Sequence, residues 1–241
     1  MGQPELSVVV PVHNEEDNLE NLINEIEAAL NPLCAFEIIY VDDMSRDGTR
    51  QRLEALKACH PALRVIAHSC QSGQSTAVRS GVLAARADWV ATLDGDGQND
   101  PADIPKLWAA LKSSPNPKLR MLAGWRADRR DDWVKRWSST VANAVRSRAL
   151  GDATPDSGCG LKLFERDLFL ALPYFDHMHR FLPALCKRAG FEVESVKVNH
   201  RPRTRGVSKY GIGNRLFVGL TDLCGVAWLK TRTKLTDCRE L

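Results

Sequence analysis

The 241-residue chain has no run of about 20 apolar residues, so no segment of it reads as a bilayer span. Its start, MGQPELSVVVPV, lacks a basic n-region and a long apolar stretch, so no secretory signal peptide is expected. Leu6 stands where N-myristoylation after Gly2 requires Ser or Thr. The seven cysteines include no CxxC pair, and reduced thiols in a cytoplasmic protein are expected rather than a zinc site or a disulfide framework. The net charge is only +3, from 33 basic and 30 acidic residues, too mild for a dedicated nucleic-acid binder. Low-complexity linkers and internal repeats are missing. At 44% hydrophobic and 26% charged residues the composition is that of a globular domain, which excludes disorder and collagen.

Short apolar runs do occur, at Leu6–Pro11, Phe36–Asp42, Leu63–Ala67, Trp89–Leu93 and Leu119–Trp125. Runs of this length without alternation suit strands buried on both faces of a parallel sheet. Between them lie helical patterns: Leu19, Leu22, Ile23, Ile26 and Leu30; Leu53 and Leu56; Thr76–Ala85; Ile104–Leu111. Strand and helix alternate four times, which predicts a doubly wound α/β sheet with helices on both faces. Further on, a basic helix is expected over Trp133–Leu150, a strand over Leu161–Phe164, a helix over Arg180–Ala189 and a strand over Glu192–Asn199. Residues 200–213, basic and glycine-containing, read as a loop. The expected division is one large domain over 1–211 and an amphipathic segment over 212–241.

Ligands of an open parallel sheet sit beyond the carboxyl ends of its strands. Polar clusters fall at those ends: Pro11, Asn14 and Glu15; Asp42, Asp43, Ser45 and Asp47; Asp94-Gly-Asp96-Gly-Gln98; and Arg126. Asp94 and Asp96, one residue apart at a strand end, repel each other unless a cation intervenes. Hard oxygen ligands suit Mg2+ or Mn2+ held together with substrate phosphates. The plainer alternative is an acidic turn in which Asp100 caps and Pro101 opens the next helix. Asp47 or Ser45, and Asn14–Glu15, are equally open to a capping role. Asp42 and Asp43 come too early for caps and are candidates to accept hydrogen bonds from a base or ribose. Most of the arginines and lysines between Arg126 and Arg148 fit a solvated helix face. Arg203, Arg205 and Lys209, in a glycine-containing loop, suit phosphate.

Six motifs in order, PVHNE (11–15), VDDMSRDGT (41–49), LDGDGQNDP (93–101), DSGCGLKLF (156–164), MHRFLPAL (178–185) and RPRTRGVSKYG (201–211), carry a family resemblance. The chain resembles family 2 glycosyltransferases of the GT-A fold, in the branch of dolichyl-phosphate mannose synthases. The resemblance implies metal-dependent transfer of a hexose, GDP-mannose being the favoured donor, to undecaprenyl or dolichyl phosphate with inversion. It implies that Pro11, Asn14, Glu15, Asp42 and Asp43 hold the nucleoside, and that Asp94, Asp96 and Gln98 hold the cation and diphosphate. Arg126, Arg136 and Ser139 then hold the acceptor phosphate, Arg203 neutralises the donor diphosphate, and Lys209 is its partner in the closing loop. The family often has Asn-x-Gly-Lys after the third strand; here Gln71-Ser-Gly-Gln74 has no lysine. His179 is expected to order the acceptor side or to be structural, because a phosphate monoester, with a second pKa of about 6, is already an anionic nucleophile near neutral pH.

Leu216, Phe217, Leu220, Leu223, Cys224, Ala227 and Trp228 form one helical stripe flanked by Arg215, Lys230, Arg232 and Lys234. It is too short to cross a bilayer and suits an interfacial helix on the cytoplasmic face of the membrane, with core packing as the alternative. The competing functions are a family 2 transferase with a soluble or protein acceptor, using a UDP-sugar, and a non-catalytic nucleotide-sugar binding module. A nucleotidyltransferase is disfavoured because PVHNEEDN lacks the glycines of a phosphate loop.

Overall fold

The computed structural model describes residues 2–127, 146–148, 150–202, 212–234 and 236; for 212–218 the description is of the backbone alone. Seven strands form one sheet in the order β3-β2-β1-β4-β6-β5-β7. They are β1 (Leu6–Val12), β2 (Phe36–Asp42), β3 (Leu63–Ala67), β4 (Trp89–Thr92), β5 (Leu119–Trp125), β6 (Lys162–Glu165) and β7 (Glu192–Lys197). β6 alone runs against its neighbours, pairing antiparallel with β4 and β5; the other pairings are parallel. The helices are α1 (Leu19–Leu30), α2 (Thr49–Leu56), α3 (Gln74–Ala84), α4 (Ile104–Ser113), α5 (Arg166–Ala171), α6 (Leu182–Arg188) and α7 (Ile212–Thr231).

The apolar runs lack alternation because both faces of the sheet are covered. In β1, Leu6, Val8, Val10 and Val12 meet α1 and α4, while Val9 points to the other face. In β2, Ile38 and Tyr40 pack toward the first face, and Ile39 and Val41 toward the second. The second face is covered by α3, α5, α6 and Val226 of α7. The mostly parallel α/β sheet and its C-terminal helix are therefore as expected. The sixth strand begins one residue later than predicted, and the predicted 180–189 helix divides into a 3₁₀ turn at Met178–Arg180 and α6. The expected 133–150 helix and the 200–213 loop lie largely outside the described residues, although 146–148 are helical.

The apolar stripe near the C-terminus is split by packing. On α7, Val226 is buried, and Leu223 and Ala227 pack beside it on the core. Leu220 and Trp228, one and two turns along the opposite side, stay 61% and 57% exposed, and Cys224 between them is exposed. Polar ties hold the helix to the body: His177 Nδ1 lies 3.1 Å from Asp222 Oδ2, Arg188 Nε donates to the Leu229 carbonyl at 3.2 Å, and Lys230 Nζ donates to the Leu150 carbonyl. Core packing thus accounts for one face of the stripe, and the other face is exposed. No helix among the described residues is long and apolar enough to cross a membrane.

Candidate active site

The direction of β6 decides what gathers at the carboxyl edge. A reversed strand begins where its parallel neighbours end, so the loop 156–161 enters the sheet beside the ends of β4 and β5. Thr92 Oγ1 at the end of β4 donates to the Gly160 carbonyl at 2.7 Å, and the Gly124 amide donates to Leu161 O at 2.9 Å. Gly95 lies on the end of β1; a Cβ there would stand 3.1 Å from the Pro11 carbonyl. Segments far apart in sequence, PVHNE, LDGDGQNDP and DSGCGLKLF, meet here.

Asp94 and Asp96 are both partly buried. Asp94 is held at several points. Its amide donates to Asn99 Oδ1 at 3.0 Å, and its Oδ1 accepts from Gln74 Nε2 at 2.8 Å. Its carboxylate packs against Gly160, so closely that a Cβ at Gly160 would lie 2.6 Å from Oδ1 and nearer still to Oδ2. Burial, then the charge of Asp96, raise its pKa above the ordinary carboxylate value. Asp96 Oδ1 accepts from the Gln98 amide at 3.1 Å. An edge with this excess of negative charge, made of hard oxygens, fits Mg2+ or Mn2+. Among the described residues no cluster of three or more Asp, Glu, His or Cys completes a protein cage. A pair of carboxylates therefore suits a cation that keeps waters and takes its remaining ligands from phosphates.

Arg126 follows β5 and is clamped by Asp156. Nε and Nη2 donate to the two carboxylate oxygens at 2.7 and 3.0 Å. Such a bidentate pair fixes the plane of the guanidinium. Arg136, Ser139, Arg203 and Lys209, the other residues expected to contact phosphate, lie outside the described residues.

The proposed nucleoside residues form a braced network. Asn14 adopts a left-handed backbone with φ of 54°, which asparagine tolerates. Its amide donates to Ser45 Oγ at 2.9 Å and its Oδ1 accepts from the Arg46 amide at 2.7 Å. The Glu15 amide donates to Thr49 Oγ1 at 2.9 Å. These residues join the loops after β1 and β2 rather than capping α1, which starts at Leu19. Pro11 pairs with Val41 in the sheet. Asp47 Oδ1 accepts from the Thr49 amide at 3.0 Å, but the N-cap of α2 is Gly48, so Asp47 and Ser45 stand before the cap rather than at it. Buried Asp42 accepts from the Ser45 amide and pairs with Arg50 at 2.8 Å. Buried Asp43 accepts from the Ser72 and Gly73 amides and from His68, each at 2.8 Å. Burial pushes its pKa up, but these hydrogen bonds outweigh it and the net shift is downward. Both aspartates thus serve as internal braces. Asp100 caps the 3₁₀ turn at Pro101, accepting from the Ala102 amide at 3.0 Å, so the capping reading holds for that acid.

Three contributors were not anticipated. Gln74, marked in the sequence only by the lysine it replaces, is a ligand of Asp94. Ser75 Oγ lies 2.7 Å from His179 Nδ1, and burial holds the His179 pKa well below its ordinary value, so the ring is neutral. Arg201 braces the acidic loop: Nη2 donates to Asp100 at 2.7 Å, Nη1 to Glu25 at 2.7 Å, and its amide to the Gln98 carbonyl at 3.0 Å.

A doubly wound sheet, one reversed strand and an Asp-x-Asp at the carboxyl edge define the class as a GT-A glycosyltransferase fold. Comparison with known proteins narrows this. The profile of glycosyl transferase family 2 matches residues 7–172. A dodecaprenyl-phosphate galacturonate synthase from Rhizobium johnstonii is 35% identical over 227 residues, covering 92% of this chain and 66% of that protein. An undecaprenyl-phosphate 4-deoxy-4-formamido-L-arabinose transferase from Pseudomonas aeruginosa is 34% identical over 207 residues, covering 85% of this chain and 60% of the relative. The chain thus spans less than two thirds of the length of these relatives. Two solved structures share its fold. Glucosyl-3-phosphoglycerate synthase from Mycobacterium tuberculosis, with Mn2+, UDP and phosphoglyceric acid, has a TM-score of 0.69 at 18% identity, covering 97% of this chain and 80% of its own. A mannosyltransferase from Pyrobaculum calidifontis, with GDP-Man and Mn2+, has 0.68 at 22% identity, covering 98% and 66%. The chain belongs to glycosyl transferase family 2.

Proposed function

We propose that the protein transfers a sugar from a nucleotide diphosphate sugar to a polyprenyl phosphate, with a divalent cation, at a membrane surface. The observation that carries the reading is the Asp94–Asp96 pair set at the carboxyl edge beside Arg126, in a chain whose relatives are named for polyprenyl-phosphate products. Asp94, Asp96 and Gln98 would hold the cation, which when bound supplies positive charge to the leaving diphosphate. Asn99, Gln74 and Gly160 fix Asp94, and the Asp156 pair fixes Arg126 toward an anionic acceptor. With Arg126, Arg136, Ser139 and Arg203 are the proposed phosphate contacts and Lys209 their loop partner. Pro11, Asn14, Glu15, Asp42 and Asp43 shape the nucleoside end. No general base is needed because the acceptor phosphate is already ionised near neutral pH. Neutral His179 therefore positions α3 through Ser75 rather than carrying a proton. The exposed Leu220, Cys224 and Trp228 face of α7 rests on lipid, with Arg232, 5.7 Å over the Trp228 ring, near anionic headgroups.

For the donor, the branch resemblance favours GDP-mannose. Relatives named for galacturonate and for a formamido-arabinose, and the UDP-glucose found with one structural neighbour, set UDP-sugars beside it. The test is a donor panel, with GDP-mannose, UDP-glucose, UDP-galacturonate and UDP-N-acetylglucosamine each radiolabelled and mixed with Mn2+ and undecaprenyl phosphate in detergent. Label in the organic phase with one donor supports the reading and names the sugar. Label confined to a water-soluble acceptor in every arm overturns it.

A further inference from the structure

Lys162 is buried, at 3% exposure, and no step of the reaction uses it. It opens β6, opposite Thr92 of β4 and Ala123 of β5, so its side chain belongs to the carboxyl edge. A buried ammonium is costly unless its charge is met. Its Nζ donates to the Cys159 carbonyl. The Asp94 carboxylate packs against the α-carbon of Gly160. That carbonyl and that α-carbon belong to one peptide unit, so ammonium and carboxylate both border a single peptide group. They interact through space: no ion pair within 4.0 Å joins them among the described residues, and the charge of each favours the charge of the other. Nearby Asp156 is already matched by Arg126. Among the described residues around this peptide, Asp94 and Asp156 stand against Lys162 and Arg126, and Asp96 adds one negative charge.

We propose that Lys162 is a positioning residue, a resident counter-charge that holds Asp94 against the Cys159–Gly160 peptide before cation and donor arrive. Its catalytic consequence rests on the reading of Asp94 as a cation ligand; the coupling of the two side chains does not. The test is a double-mutant cycle read by urea unfolding of the whole chain without divalent cation, using K162M, D94N and the double variant, with K162R as the charge-retaining control. The expected result is a lower midpoint for K162M, recovered for the most part by K162R, and a much smaller loss from K162M in the D94N background. If K162M does not fold, folding of the double variant is itself the expected rescue. Additive losses, or a double variant that also fails to fold, overturn the proposal. In a separate arm Mn2+ alone should raise the melting temperature of K162M more than that of the wild type, because the ion replaces the missing charge. A cycle that couples while Mn2+ shifts neither protein would refute the cation reading of Asp94 and leave the counter-charge standing. Equal, non-zero Mn2+ shifts would count against Lys162 as the charge that the cation supplants.

Discussion

Gly160→Ala is the sharpest perturbation of the acidic site, because it adds one methyl group to a backbone that accepts it. Gly160 does not have the positive φ that disfavours a side chain. The new Cβ would stand 2.6 Å from Asp94 Oδ1, whereas ordinary contact begins at 3.4 Å, so the carboxylate must retreat by at least 0.8 Å. It is also tied to Gln74 at 2.8 Å, and retreat strains or breaks that bond. A displacement of about 1 Å at reacting groups costs on the order of 100-fold in rate. The strands are untouched, and overpacking confined to the tip of one side chain should cost about 1 kcal/mol of stability. We therefore expect G160A to keep its circular dichroism spectrum, to melt within a few degrees of the wild type, and to lose about 100-fold in sugar transfer together with Mn2+ affinity. Wild-type transfer and Mn2+ binding in G160A would refute the placement of Asp94 as the site's fixed carboxylate.

Other expectations follow from the same geometry. Arg126→Ala removes the bidentate partner of Asp156, which is 4% exposed; loss of one member of such a pair costs about 3–5 kcal/mol, so urea unfolding should show a large loss that the Arg126→Ala/Asp156→Asn double variant partly restores. The raised pKa of Asp94 favours the native state while the carboxyl is protonated. This stability is full below the ordinary carboxylate value and is lost as pH rises through the raised one. The cation-free wild type should therefore lose stability with rising pH across that window relative to D94N, as measured by urea midpoints at several pH values. Leu220→Glu and Trp228→Glu, on the outward face of α7, should leave the melting temperature within about 0.5 kcal/mol equivalence yet abolish sedimentation with anionic liposomes. Val226→Glu on the inward face should unfold the helix from the body.

The doubly wound sheet was legible because its strands are buried on both faces. Val8 and Val9 must both be apolar when α1 covers one side and α3 the other, and a bare apolar run between helical patterns admits few other folds. The reversed strand was not legible. Lys162–Glu165 carries no mark of direction, and its reversal is what brings Gly160 and Lys162 to Asp94. Asp94 and Asp96 could be read as a pair because the spacing itself creates the conflict of charge. The bracing of Asp42 and Asp43 could not, since three of the donors are backbone amides, of Ser45, Ser72 and Gly73, which every residue type but proline supplies, and nothing in the sequence pairs Arg50 or His68 with these acids. Gln74 shows a further limit: judged against the lysine usual at that place it looked like a lost contact, whereas its amide holds Asp94 directly. On α7 the periodicity was clear, but which apolar side chains face inward depends on the core that α3, α5 and α6 leave uncovered.

The central claim is that Asp96 and Asp94 serve transfer to a lipid phosphate. The most direct measurement compares wild type and Asp96→Ala in donor-to-lipid transfer, with undecaprenyl phosphate in one arm and undecaprenol in the other. Organic-phase label from the wild type with the phosphate alone, and none from a folded Asp96→Ala, is the predicted result. Equal label from Asp96→Ala, or transfer to the neutral alcohol as readily as to the phosphate, would contradict it.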